Sequence, residues 1–128
     1  MEKKSNICKA ELNIMEVLWT QGEMPAGRLY RILQDKIKWK KSTTYTVLGK
    51  CIEKGFVERI DPRYVCRALV SRKEIEHRAI EETADLYFGG SKISLFSLFL
   101  KNAGLTAEEI QTLEDMLEHR NEDIPSLA

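Results

Sequence analysis

Apolar residues recur at helical spacing in three successive segments near the start of the chain, which predicts three short amphipathic helices. Gly22 ends the first helix, and Pro25 lies in the first turn of the second, where its missing N–H costs no hydrogen bond. Ser42 is positioned to cap the third helix by accepting a hydrogen bond from a free backbone N–H. The predicted core faces are Leu12, Met15, Leu18 and Trp19, then Leu29, Ile32, Leu33 and Ile37, then Thr44, Val47, Leu48 and Cys51.

The pattern changes from helical spacing to β-type runs after Gly55. The runs FVERI and YVCRALV flank the turn residues Asp61-Pro62-Arg63, which predicts a hairpin. Two helices, a third helix and a hairpin follow the order of a winged helix-turn-helix, whose third helix enters the major groove of DNA. We therefore expect a mainly α fold, with a winged-helix DNA-binding domain over residues 1–70 and a small β-hairpin as its wing.

Residues 71–128 are predicted to form further helices, which together make a C-terminal helical domain. Glycines separate these helices at Gly89, Gly90 and Gly104. Two residue pairs match the capping box, in which each side chain bonds the other residue's backbone N–H: Ser71 with Glu74, and Thr106 with Glu109.

The segment from Ile93 to Leu100 is apolar except at Ser94 and Ser97, so we expect a helix that is enclosed on most sides. A second apolar stripe follows on the last helix. Residues 74–128 are too few to bury both stripes alone, which predicts a homodimer; an intramolecular core is the alternative. The residues expected in the dimer interface are Ile75, Ala79, Leu86, Tyr87, Ile93, Phe96, Phe99, Leu100, Ile110, Leu113 and Leu117.

The chain has no net charge, with 20 Lys and Arg against 20 Asp and Glu, but its two halves are oppositely charged. Residues 1–73 hold 16 basic and 8 acidic side chains, a net charge of +8, and the remainder has a net charge of −8. A basic helical half favours a polyanion such as nucleic acid, and an acidic half with apolar stripes favours a protein surface. No apolar run is long enough to span a membrane, so we expect a cytoplasmic protein without a membrane partner.

The outer face of the third helix carries small or hydrogen-bonding side chains flanked by lysines. Hydroxyls near its start suit phosphate oxygens, while threonine and lysine side chains can contact base edges. The residues expected to contact double-stranded DNA are Lys38, Lys40, Lys41, Ser42, Thr43, Tyr45, Thr46, Lys50, Lys54, Arg59 and Arg63, with Arg67 a further candidate. A solvated basic surface is the alternative for the wing arginines.

Two residues near this face have two interpretations each. Gly49 either permits close approach to a groove wall or relieves crowding within the protein. Trp39 either anchors the core or contacts a phosphate or sugar.

Other chemistries have little support in the sequence. Cys8, Cys51 and Cys66 are an odd set without a C-x-x-C motif, which argues against disulfides and a four-ligand zinc site. His77 and His119 match no nucleophile or metal-ligand pattern, so we expect no catalytic residue, no metal and no cofactor. Cys8 lies near an exposed end and is a candidate redox-reactive thiol. The competing class is a winged-helix protein-interaction module that binds an acidic partner without reading DNA.

Several motifs together resemble the penicillinase-repressor family of winged-helix repressors, the BlaI, MecI and CopY type. They are ELNIMEVLW near the start, Trp39 followed by Ser42-Thr43-Thr44 and Thr46-Val47-Leu48, Lys54-Gly55, Leu69 to Ser71 and Phe88 to Ser91. The likeness extends from about Glu11 to about Glu118. It implies a dimeric repressor of a palindromic operator, with the third helix as recognition helix and the C-terminal helices as dimerisation module.

The chain departs from this family's pattern at two regulatory sites. Members of the β-lactam branch are cut by a protease at an Asn-Phe bond in the fifth helix, and the aligned pair here is Leu98-Phe99. The copper branch carries a C-terminal cysteine cluster, and no cysteine follows Cys66. We therefore expect neither cleavage at this bond nor copper sensing by that route. The inducing signal stays open between a small ligand at the fifth helix, an unidentified protease, and simple packing of that helix.

Overall fold

The computed structural model describes residues 6–119, which form six helices and three short strands. The helices are α1 (Lys9–Gln21), α2 (Ala26–Ile37), α3 (Lys41–Glu53), α4 (Arg72–Phe88), α5 (Lys92–Asn102) and α6 (Ala107–Glu118). The strands are β1 (Met24–Pro25), β2 (Val57–Ile60) and β3 (Val65–Ala68). The predicted mainly α fold with a winged helix is confirmed. The chain forms two compact units, of which the first ends at Glu82 and the second begins at Thr83.

The core of the first unit lies where α1, α2 and α3 pack against one another and against the sheet. Leu29 and Leu48 are fully buried, as their helical spacing predicted. Trp19 packs against this core and donates its indole N–H to the Val70 carbonyl oxygen at 2.9 Å. Ile37 was predicted to be buried and is 39% exposed, because it is the last residue of α2 and the chain turns away from the core there.

The wing has one more strand than the sequence predicted. The β2–β3 hairpin has Arg59 opposite Cys66, and the two-residue β1 pairs with the other edge of β3, which gives the strand order β1-β3-β2. Pro25 ends β1 and is the N-cap of α2, not a residue of its first turn. The N–H of Ala26 donates to the carbonyl oxygen of Tyr64 at 2.9 Å, so the start of α2 is tied directly to the wing.

The start of α3 lies one residue earlier than a Ser42 cap requires. Lys40 has the extended conformation of an N-cap residue and α3 begins at Lys41, so Ser42 is already within the helix and the cap prediction is wrong. The core face is as expected, with Thr44, Leu48 and Cys51 fully buried. Thr44 donates its hydroxyl to the Lys40 carbonyl oxygen at 3.3 Å, which satisfies this buried polar group.

Both predicted capping boxes are present. The N–H of Ser71 donates to Glu74 at 2.8 Å, and the N–H of Glu74 donates to the Ser71 hydroxyl at 3.1 Å, which fixes the start of α4. Thr106 and Glu109 exchange the same pair of bonds at the start of α6.

The apolar helix α5 is exposed in the single chain. None of its residues is buried, and Ile93 is 79% exposed, so the expectation of an enclosed helix is wrong for one copy of the protein. None of the helices within residues 6–119 combines the length and apolar content that a membrane span requires.

Candidate nucleic-acid interface

The outer face of α3 carries no large aliphatic side chain. Because a helix turns once in about 3.6 residues, burial of Thr44, Leu48 and Cys51 turns the intervening positions outward. The structure leaves five of these positions exposed: Ser42, Thr43, Thr46, Gly49 and Lys50. Their hydroxyl and ammonium groups offer hydrogen bonds along one face of the helix.

Gly49 lies in the middle of this outer face. A Cβ atom added there would meet no atom of the described residues within 4 Å. Crowding within this part of the protein therefore does not explain the glycine. Glycine in a helix interior costs about 1 kcal/mol relative to alanine, so the position weakens α3 without improving its packing.

Three lysines surround the start of α3. Lys38 ends α2 in the left-handed conformation, with φ of 62°, and Lys40 and Lys41 are the N-cap and first residue of α3. All three side chains are exposed. Their charges add to the free N–H groups of a helix N-terminus, and together these form an edge suited to an anion.

Lys54 has a structural partner. Its ammonium lies 2.9 Å from a carboxylate oxygen of Glu11, which is only 1% exposed, and it also donates to the Asn6 carbonyl oxygen at 3.2 Å. The N–H of Cys8 donates to the same carboxylate at 3.0 Å. Burial alone would raise the pKa of Glu11, but the bonds from Cys8 and Lys54 outweigh it and lower this pKa. The Lys54 ammonium thus joins the end of α3 to the start of α1.

The three wing arginines are in different surroundings. Arg59 lies 3.0 Å from Asp61 and stacks over the Tyr64 ring, with 3.8 Å from its guanidinium carbon to the ring centroid. Arg67 lies 3.1 Å from Glu58 on the neighbouring strand. Arg63 is exposed in the turn between β2 and β3.

Tyr45 and Trp39 are both half-buried and pack against the core of the first unit. The ring of Tyr45 meets the ring of Tyr64 edge to face, with centroids 5.8 Å apart and planes at 77°. The Lys41 ammonium lies 6.0 Å from the Tyr45 centroid. The core interpretation of Trp39 agrees with this packing, and Tyr45 faces the wing as well as the outer surface.

The two buried thiols are unsuited to redox or metal chemistry. Burial raises the pKa of Cys51 to about 12 and that of Cys66 to about 11, so both are protonated at neutral pH. Cys8 is exposed. Within residues 6–119, no group of three or more His, Cys, Asp or Glu side chains is arranged to hold a metal ion.

The residues predicted for a dimer interface fall into two groups. Ile75 is 9% exposed and belongs to the core of the first unit, which leaves little of its side chain for a partner copy. In the second unit, Leu113 is half-buried, and the large exposed apolar side chains are Leu86, Tyr87, Ile93, Phe96, Phe99, Leu100, Ile110 and Leu117, together with Leu98. Ala79 is also exposed. The rings of Phe96 and Phe99 on α5 stack with their centroids 6.1 Å apart.

Comparison with known proteins agrees with this architecture. The solution structure of the DNA binding domain of the repressor BlaI is similar with a TM-score of 0.51 and 24% identity, covering 58% of this chain and 93% of that domain. The penicillinase repressor of Bacillus licheniformis is 27% identical over 124 residues, covering 94% of this chain and 97% of the relative. The methicillin resistance regulatory protein MecI of Staphylococcus aureus strain N315 is 23% identical over 117 residues, covering 90% of this chain and 95% of the relative. Residues 7–119 match the family model described as penicillinase repressor, and the chain therefore belongs to the penicillinase repressor family.

Proposed function

We propose that this protein is a dimeric transcriptional repressor that binds a palindromic operator through α3 and acts in the cytoplasm. The observation that carries the proposal is the exposed polar face of α3, with three lysines at its start and no aliphatic side chain to bury. Proteins similar to this chain are named as repressors and regulatory proteins, and a structural relative is named as a DNA binding domain. These names support a role in regulating transcription and not in catalysis.

Each part of this surface has a proposed role. Thr43, Thr46 and Lys50 reach base edges in the major groove, since threonine methyl groups contact thymine and lysine donates to guanine acceptors. Contacts to the phosphate backbone come from Lys38, Lys40, Lys41 and Ser42 beside the helix start and from Arg63 and Arg59 in the wing. Lys54 is left out of this set because a buried carboxylate, that of Glu11, holds its ammonium, whereas Asp61, the partner of Arg59, is exposed.

The apolar surface of the second unit supports self-association. A single winged helix reads few base pairs, and basic surfaces alone bind DNA weakly at physiological salt. We propose that α5 and α6 pack on the same helices of a second copy about a two-fold axis. Apolar side chains as exposed as Ile93 and Leu117, at 79% and 64%, would then leave water on dimerisation.

Fluorescence anisotropy with labelled duplexes tests the proposal. The wild-type protein is titrated onto a palindrome from its own promoter region and onto random duplex of equal length, while sedimentation reports the oligomeric state. We expect dimers that prefer the palindrome by at least about 10³-fold, the lower range for specific binders. Equal affinity for both duplexes would contradict the proposal.

The Lys50→Glu variant separates the two candidate classes. A repressor loses palindrome binding and stays dimeric, because Lys50 lies on the exposed face of α3 and outside the apolar surface. A protein-interaction module would show no preference for the palindrome before or after this change.

A further inference from the structure

Two tyrosines and an arginine connect α3 to the wing. Tyr45 lies on α3, and its ring contacts the ring of Tyr64, the last residue of the wing turn before β3. The Arg59 guanidinium of β2 stacks on the same Tyr64 ring at 3.8 Å and is itself fixed by Asp61. Edge-to-face rings and a stacked guanidinium are both favourable, directional contacts.

Tyr64 is the centre of this arrangement. Its φ of 54° places it in the left-handed region, which a bulky residue rarely adopts without support from its surroundings. Its carbonyl oxygen accepts the N–H of Ala26 at 2.9 Å, so its backbone is also tied to α2. Burial raises the pKa of its hydroxyl, which stays neutral at physiological pH. Tyr64 therefore belongs to the wing, contacts α3 through its ring and contacts the start of α2 through its backbone.

We propose that Tyr45 and Tyr64 form an aromatic brace that fixes the wing relative to α3. Arg63 precedes Tyr64 in the chain, so the brace determines where the guanidinium of Arg63 lies when α3 occupies the major groove. Both tyrosines are positioning residues, and Arg63 makes the phosphate contact. The inference deepens the proposed function and rests on it, and it assigns Tyr45 to the wing and not to base reading.

The test compares two substitutions of Tyr64. Tyr64→Asn removes the ring and suits the left-handed backbone, since Asn tolerates positive φ. Tyr64→Phe keeps the ring and is the matched control. Operator affinity is measured by anisotropy as a function of salt concentration, because each phosphate contact contributes about 0.9 to the slope of log K against log salt.

We expect Tyr64→Asn to weaken operator binding about tenfold and to reduce the salt slope by about 1 for each wing. We expect Tyr64→Phe, which keeps the ring, to retain the wild-type salt slope. A loss of stability alone would lower the fraction of folded protein without changing this slope. Thermal unfolding is measured for each variant to check that it is folded at the assay temperature.

A double-mutant cycle with Arg63→Ala tests the mechanism. If Tyr64 acts by placing Arg63, then Arg63→Ala costs little further affinity in the Tyr64→Asn background, and the two effects are not additive. Lys50→Ala is the comparison, and its effect adds to that of Tyr64→Asn. Tyr45→Leu, which leaves Tyr64 in place, provides a second route to the same loss of slope if Tyr64→Asn fails to fold.

The outcomes separate the two proposals. A folded Tyr64→Asn or Tyr45→Leu protein with the wild-type salt slope overturns the brace, as does full additivity with Arg63→Ala. In both cases specific binding by the wild-type protein still stands. If the wild-type protein shows no preference for the palindrome, the proposed function itself fails.

Discussion

Two lysines one helical turn apart at the end of α3 should have opposite roles. Lys50 is exposed on the outer face, whereas the Lys54 ammonium lies 2.9 Å from the buried Glu11 carboxylate. We therefore compare Lys50→Met with Lys54→Met. Both substitutions remove one positive charge and keep an unbranched side chain of similar length, so they form a matched pair.

The cost of Lys54→Met follows from the burial of its partner. The Glu11 carboxylate is 1% exposed and would keep its bond from the Cys8 N–H but lose its counter-ion. Breaking a fully buried ion pair costs about 3–5 kcal/mol, and breaking an exposed pair costs about 0–1 kcal/mol. Lys54 is 30% exposed, which places this pair between the two cases, at about 2 kcal/mol. A loss of that size lowers the Tm of a small domain by about 10 °C.

Lys50→Met should behave in the reverse way. Replacing an exposed side chain such as that of Lys50 changes the free energy of unfolding by no more than about 0.5 kcal/mol. Loss of a contact to a base edge weakens operator binding by about 1–3 kcal/mol for each half-site. Differential scanning calorimetry measures stability, and anisotropy at a temperature where both variants are folded measures affinity.

An exchange of the two phenotypes would contradict the roles assigned to Lys50 and Lys54. A Lys54→Met protein with the wild-type Tm and reduced operator affinity would show that Lys54 binds phosphate and that its pairing with Glu11 is incidental. A Lys50→Met protein with full affinity would remove the outer face of α3 from the DNA contact.

Three further predictions concern other residues. Gly49→Ala should raise the Tm of the free protein, because alanine favours the helix by about 1 kcal/mol, yet weaken operator binding; unchanged binding would show that no groove wall approaches this position. Glu11→Gln should reduce the dependence of stability on pH in the acid range. The lowered pKa of Glu11 stabilises the wild type above pH 4.5, the ordinary value of this pKa, and the stabilisation is lost as pH falls through the lowered pKa. Thermal unfolding over this pH range measures the effect. Ile93→Glu should raise the dimer dissociation constant by about a hundredfold or more, because an unpaired carboxylate is costly to bury. Unchanged sedimentation would place Ile93 outside the interface.

The helices and their faces could be predicted because they depend on local spacing. Burial of Leu48 and Cys51 follows from their periodicity, and the polar outer face of α3 is the complement of that pattern. The capping boxes depend on residues three positions apart, so they were also visible in the sequence.

Long-range contacts account for what the sequence did not reveal. Glu11 looks like an ordinary polar helix residue, and its burial depends on Lys54, which lies 43 positions later. The strand β1 has two residues and no periodicity, so only its pairing with β3 defines it. The contact of Tyr45 with Tyr64 likewise requires the wing to fold back onto α3. Single residues in such contacts carry no signal that a pattern could detect.

We propose that two copies of α3, held at a fixed separation by pairing of their second units, read two half-sites on one face of DNA. Operator variants with altered spacing between the half-sites test it most directly. Inserting about five base pairs, half of a helical turn, turns one half-site to the opposite face of the duplex. The half-site sequences are kept unchanged, and affinity is measured by anisotropy. We predict that the insertion reduces the affinity for the operator to the affinity for a single half-site. Affinity that does not depend on the spacing would contradict the account.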